Sequence, residues 1–246
     1  MDVLSWIKAL RADGELLAEV ASGTSLDARV PGCPDWAVRE LVGHLGRVHR
    51  WARTVVAERV GEDAFGQLRE ILASPQPGDD ALLDWFRDGH RELVDTLEAA
   101  PADLACATFM PAPTPLIFWA RRQAHETAVH RVDAQQAAGL APVVDPDFAA
   151  DGVDELLGGF LTRSRKLRAA DPRTMLFSAH GRHWLVTVGP DTGMVEVAAP
   201  EPADVTISGP AETMYLALWN RVPWDQLTVT GDDDLATFWG GIFRVR

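Results

Sequence analysis

Apolar residues recur at helical spacing through the first half of the chain and at alternate positions through most of the second. From Asp2 to about Val20, Val3, Leu4, Ile7, Leu10, Leu17 and Val20 follow a period near 3.6 and predict a helix that Gly23 and Thr24 end. Val30-Pro31-Gly32-Cys33-Pro34 reads as a turn-rich connector. Asp35 is then placed to cap a second helix, Trp36 to about Val60, because its carboxylate can accept an otherwise unpaired backbone N–H. Pro75, Pro77 and Gly78 mark a loop, and a third helix runs from Asp80 to about Ala100 on Leu82, Leu83, Phe86, Leu93, Val94 and Leu97. After the prolines at 111, 113 and 115, Thr114 caps a fourth helix with Pro115 in its first turn and Gly139 just past its end.

Pro142 to Pro146 reads as a linker. Phe148 to Ala169 is a further helix, with Val153, Leu156, Leu157, Phe160 and Leu161 in phase. Beyond Asp171-Pro172 the period becomes two. Met175–Ser178, Trp184–Val188, Met194–Ala198, Asp204–Ser208 and Gln226–Thr230 read as short strands, with a helix from about Ala211 to Asn220 before the last of them. Asp232-Asp-Asp predicts the start of a final helix through Leu235 and Phe238. The pattern is an α+β chain: a helical bundle over 1–142 followed by a small α+β domain over 143–246.

Composition narrows the setting. The 246 residues carry 23 basic and 36 acidic side chains, a net charge of −13, with acidic excess on both sides of Pro142. No basic stripe is available to neutralise a phosphate backbone, which argues against nucleic acid as a partner. No run approaches the roughly 18 apolar residues of a membrane span. The first turn is acidic and amphipathic and does not resemble a secretory signal. Two cysteines, Cys33 and Cys106, cannot build a disulfide framework, and both are expected to pack rather than react. These features fit a reduced, cytoplasmic setting. Two lysines against 21 arginines fit a GC-rich coding sequence.

The candidate chemistry lies among seven histidines. In the fourth helix Glu126 and His130 are four apart and stack on one face, as a paired grip on a metal requires. His125-Glu126 followed by His130 is H-E-x-x-x-H, not the zinc-protease motif, because its histidines diverge around the helix. In the second helix His44 flanks the stripe of Leu41, Leu45, Val48 and Ala52 and can face the bundle interior, while His49 lies on the opposite flank. One histidine plus a carboxylate–histidine pair is a three-donor set with an open fourth position, the pattern of catalytic zinc. Two plainer readings stand beside it: Glu126 pairs with Arg122 on a solvated face, and His44 is a satisfied core histidine. Asp133 either orients His130 or pairs with Arg122 or Arg131. Glycine-rich phosphate loops, G-x-S-x-G elbows and dinucleotide fingerprints do not occur.

Taken together, Val30-Pro-Gly-Cys-Pro-Asp-Trp-Ala-Val-Arg-Glu-Leu-Val-Gly-His-Leu45 and Arg122-Gln-Ala-His-Glu-Thr-Ala-Val-His-Arg-Val-Asp-Ala134 resemble the two signatures of the mycothiol-dependent maleylpyruvate isomerase family, the second being R-x3-E-x3-H-x2-D-A. Ala203 to Ala211, Leu216 to Arg221 and Leu227 to Asp232 are similar to that family's C-terminal domain. The resemblance implies a DinB-like four-helix bundle and a sterol-carrier-like α+β domain. It implies a divalent metal, usually zinc, on His44, Glu126 and His130, with mycothiol as thiol cosubstrate. An arginine that assists an anionic substrate matches Arg221 here, the expected catalytic residue of the second domain. The reaction it implies is cis–trans isomerisation or S-transfer, on a small and possibly acidic electrophile. The alternative is a non-catalytic module that binds a ligand or partner and keeps its metal for structure. Fold and family do not by themselves fix a substrate.

Overall fold

A computed structural model describes residues 1–161, 171–190 and 192–232. The chain divides into two compact units, Met1–Pro142 and Val143–Arg246. The first is built on four long helices: α1 (Val3–Ser22), α2 (Val38–Ala57), α5 (Asp79–Ala99) and α6 (Pro115–Ala137), with two single turns, α3 (Glu62–Phe65) and α4 (Arg69–Leu72), between the second and third. Helix α1 packs on α5 and α6, and α2 packs on the same two. The core is Leu10, Leu17, Leu41, Leu45, Leu82, Phe86, Leu93 and Trp119, all essentially without solvent contact.

The helix ends follow local chemistry. Asp2 accepts from the Ser5 N–H at 2.8 Å, and Thr114 Oγ1 accepts from the Ile117 N–H at 3.2 Å, so the Thr114-Pro115 start is as expected. The second helix differs from expectation. It begins at Val38, and its cap is Ala37, whose N–H donates to the Glu40 carboxylate at 2.9 Å. Asp35 and Trp36 stay outside because the preceding loop closes on itself, with Val30 N–H donating to Trp36 O at 3.0 Å and Arg29 bridging Ala37.

Helices α2 and α5 meet through exchanged notches. Trp85 of α5 fills the space where a Cβ on Gly46 of α2 would stand, and Arg50 of α2 fills the equivalent space over Gly89 of α5. The Arg50 guanidinium then lies 4.0 Å from the Trp85 ring centroid and donates to Trp85 O at 2.7 Å. Two glycines thus let a tryptophan and an arginine from opposite helices interleave.

The second unit opens with α7 (Pro146–Glu155), capped by Asp145, which accepts from the Phe148 N–H at 2.9 Å. Its ladder widens to π spacing over Leu156–Phe160. The expected continuation to Ala169 lies outside the described residues past Leu161. Five strands follow: β1 (Arg173–Ala179), β2 (Arg182–Val188), β3 (Gly193–Val197), β4 (Val205–Ser208) and β5 (Thr228–Gly231), in the order β3-β2-β1-β4-β5. β1 runs parallel to β4, and the other pairs are antiparallel. His180 and Gly181 both have positive φ, at 50° and 73°, which is what a two-residue hairpin between β1 and β2 demands. Helix α8 (Ala211–Leu218) links β4 to β5, shorter than expected, since Asn220 has left the helix at φ 60°. The final helix read from Asp232 onward lies outside the described residues, although Asp232 itself accepts from Arg173 at 2.6 Å. The architecture is α+β, as expected.

Candidate metal centre

One turn of α6 separates Glu126 from His130, so both project from the same face, and α2 brings His44 to meet them. His44 Nε2 lies 3.2 Å from Glu126 Oε1, and His130 Nε2 lies 3.5 Å from the same oxygen. The second carboxylate oxygen accepts from Arg122 Nη2 at 3.0 Å. The expected Arg122–Glu126 pair therefore forms, but not on a solvated face: Arg122 is buried. It pins one oxygen of Glu126 and leaves the other facing the two imidazoles.

His130 is fixed from behind. Its Nδ1 lies 2.9 Å from Asp133 Oδ2, and Asp133 is fully buried. Arg131 pairs with Asp13 of α1 at 2.9 Å. A carboxylate at Nδ1 selects the tautomer that carries its proton there and presents the Nε2 lone pair outward. The 30–37 loop closes over this region. Trp36 places its ring centroid 4.8 Å from that of His44 and 5.8 Å from that of His130, and Cys33 Sγ lies 3.7 Å from Asp133 Oδ2.

The electrostatics follow from this crowding. Burial pushes the His44 imidazole below its ordinary value, more than the nearby Glu126 pulls it up. Burial pushes Glu126 upward, but hydrogen bonds from His130 and His44 and the charge of Arg122 hold it well below the usual carboxylate range. Burial works to lower His130, yet Asp133 and Glu126 together raise it. The carboxylate is thus kept ionised beside two imidazoles.

Two sets of three ligand-type groups, each with donor atoms mutually within 4.8 Å, occur among the described residues: His44, Glu126 and His130, and Cys33, His130 and Asp133. The first fits a divalent cation in its donor chemistry. It offers two imidazole nitrogens and one ionised oxygen that already converge, and the partly exposed His44 and Glu126 side chains leave it open to solvent. The second set is buried throughout and shares its histidine with the first.

Other sequence candidates fall elsewhere. His49 is fully buried with its Nε2 2.9 Å from Thr127 Oγ1, and its ring stands 5.2 Å from that of His90. His180 is surface-exposed and pairs with Asp147 at 2.8 Å, and His183 contacts Ser178 Oγ at 2.9 Å. Arg221 is buried in the second unit and donates through Nη1 to Trp219 O at 2.6 Å. The sequence alone predicts packing for Cys33 and no site role for Trp36. Both contacts span about a hundred residues of chain or a closed loop, and no spacing rule signals them. No helix among the described residues is long and apolar enough to cross a membrane.

Comparison with known proteins places these features in context. Residues 7–135 match the family model of the mycothiol maleylpyruvate isomerase N-terminal domain, and residues 147–238 match that of the corresponding C-terminal domain. A crystal structure of mycothiol-dependent maleylpyruvate isomerase shares the fold at 12% identity and a TM-score of 0.61, over 94% of this chain and 93% of that one. A histidine-to-alanine variant of that enzyme matches over the same shares at 12% identity and a TM-score of 0.63. Among curated proteins no match is found.

Proposed function

The chain belongs to the mycothiol maleylpyruvate isomerase family, and from that premise we propose that it is a metal-dependent enzyme using mycothiol as cosubstrate, with His44, Glu126 and His130 as the metal ligands. The observation that carries this reading is the convergence of two Nε2 atoms on Glu126 Oε1, at 3.2 and 3.5 Å, with the other carboxylate oxygen tied to Arg122. Zinc suits two nitrogens and one oxygen with an exchangeable fourth position.

A bound divalent cation would supply the positive charge that makes a thiol, ordinarily protonated at neutral pH, available as the nucleophilic thiolate. The protein's own groups do the rest. Arg122 orients Glu126, Asp133 orients His130, and the Trp36 ring covers both imidazoles. The reaction class is thiol addition to an electron-poor cis alkene, rotation about the resulting single bond, and elimination to the trans isomer. A site that stops after addition is an S-transferase. In a chain of net charge −13 an acidic substrate needs a local cation. We assign that role to Arg221, whose guanidinium is held in place by Trp219 O and whose planar fork suits a carboxylate. The setting proposed is the cytoplasm.

The test is metal analysis of wild type and Glu126→Gln, as purified and after reconstitution with zinc, alongside a mycothiol-dependent screen of small electrophiles. One metal per wild-type chain, binding at least about 100-fold weaker in the variant, and turnover only with thiol present are expected. A wild type that takes up no metal overturns the reading. A metal closed by a fourth protein ligand, with no thiol-dependent turnover, replaces it with a structural metal in a non-catalytic module.

A further inference from the structure

We infer that Cys33 is a positioning residue of the candidate metal centre, whose thiol helps hold the Asp133 carboxylate in the orientation that fixes the His130 ring. The inference rests on the metal reading above and adds a residue to it.

The geometry is a relay of two hydrogen bonds on one oxygen. Asp133 Oδ2 accepts from His130 Nδ1 at 2.9 Å and faces Cys33 Sγ at 3.7 Å. Asp133 is fully buried and Cys33 is 2% exposed. A carboxylate in such a place must have its oxygens satisfied by donors, because desolvation without them is costly. A thiol is a small, largely apolar group with one weak donor. It can therefore stabilise the oxygen in a dry pocket without outcompeting the imidazole for it. The ring, not the sulfur, takes the shorter bond.

The sulfur is also held where it is. Cys33 N–H donates to Val30 O at 3.1 Å, Trp36 N–H donates to Cys33 O at 2.8 Å, and Val30 N–H donates to Trp36 O at 3.0 Å. These three bonds lock the loop, and Arg29 reaches across it to Pro34 O. The same loop sets the Trp36 ring 5.8 Å from that of His130. One short segment thus bears on the histidine twice: on its face through the indole, and on its Nδ1 edge through the thiol and Asp133. Burial alone would account for a small apolar residue at position 33. It would not account for a donor turned to the oxygen that sets the histidine's tautomer.

The experiment titrates cobalt(II) into metal-free full-length wild type and the variants Cys33→Ser, Cys33→Ala and Cys33→Val, reading affinity by chelator competition and ligand field by visible absorption. Cys33→Ser keeps a donor, Cys33→Val keeps the bulk, and Cys33→Ala keeps neither. Outer partners of metal ligands typically matter by 10–100-fold, and a group one bond further out is expected to matter by about 3–10-fold. The expected result is that Ser binds cobalt within about twofold of wild type, while Ala and Val both lose about 3–10-fold and alter the visible spectrum. Wild-type affinity and spectrum in all three variants would overturn the inference. So would rescue by Val but not by Ser, which is the signature of packing. A thiolate-to-cobalt charge-transfer band in wild type that Ser abolishes would also overturn it, by making Cys33 a ligand. Failure of wild type itself to take up cobalt would remove the metal reading and this inference together, so the two failures are distinguishable.

Discussion

Helix α6 of the bundle and β1, the central strand of the sheet, are both largely buried, and they are filled in opposite ways. β1 buries Met175, Leu176, Phe177 and Ala179 between β2 and β4. α6 buries Arg122, Gln123, His125, Thr127, His130, Arg131 and Asp133 along with its apolar residues. Each polar group carried inside costs desolvation and must be matched. The matching comes from other helices or from the next turn: Asp13 for Arg131, His49 for Thr127, Glu126 for Arg122, Asp133 for His130. A strand core of this kind is satisfied by any good apolar packing. A polar helix core is satisfied by particular partners only. The lesson is that the bundle carries its candidate chemistry on a helix whose buried polar groups are matched one by one, whereas the central strand of the sheet unit is buried through apolar residues alone.

That division can be broken most forcefully from the sheet side. Phe177→Ala, opposite Trp184 and Ile207 in the register, should cost the second unit about 3–5 kcal/mol in denaturant unfolding. Metal content should stay at the wild-type level. Loss of the metal in that variant would show that the two interiors are not separable.

From the bundle side, Asp133→Asn preserves shape and removes charge. It should weaken zinc affinity by about 10–100-fold in chelator competition, with helix content by circular dichroism unchanged. Unaltered affinity would mean that the buried polarity of α6 serves packing rather than the metal.

Arg221 is the sharper test of the second unit, being a cation buried in its interior, which also buries Asp151 and Glu155 of α7. Arg221→Lys keeps the charge and loses the fork, and kcat/KM for an acidic substrate should fall by about tenfold. A neutral substrate should be unaffected. Equal losses on both substrates would place the residue in the fold and not in substrate binding.

The smallest expected effect is in pH. Burial holds His49 well below the ordinary 6.5, with the neighbouring His90 adding to it, and burial likewise lowers His90. A depressed histidine binds its proton more readily in the unfolded chain. The stability of the metal-free bundle should therefore decline as pH falls below about 6.5. His130, raised by its carboxylates, runs the other way, with stability present below that pH and lost as pH rises through its folded value. Comparing urea midpoints at pH 7 and pH 5 for wild type and His49→Gln separates the two, and the variant should show the shallower acid loss.

Most of the fold was readable because its signals are local. Thr114-Pro115 starts α6, period two marks the strands, and the i, i+4 pair places Glu126 beside His130. The start of α2 was misread because Asp35 is a good cap in isolation, and only the closure of the 30–37 loop shows that Glu40 does the capping. His44 was within reach of periodicity. The partners of the site were not: Cys33 meets Asp133 across 100 positions, and a spacing rule carries no information about a contact that tertiary packing alone creates. That Arg122 can pair with Glu126 is foreseeable from their spacing, whereas the burial of Arg122 depends on how the other helices close around α6.

The exchanged notches between α2 and α5 have a consequence for how this bundle can change over evolutionary time. Gly46 can acquire a side chain only after Trp85 has shrunk or moved, and Gly89 only after Arg50 has been shortened or displaced. Because Arg50 also lies on the Trp85 ring, shrinking either large residue first strips the other of a partner. The four positions are coupled in descent: a side chain at 46 requires the Trp85 ring to shrink or move, whereas the flexible end of Arg50 can swing clear of a side chain at 89, so the glycine under the ring is the more constrained of the two.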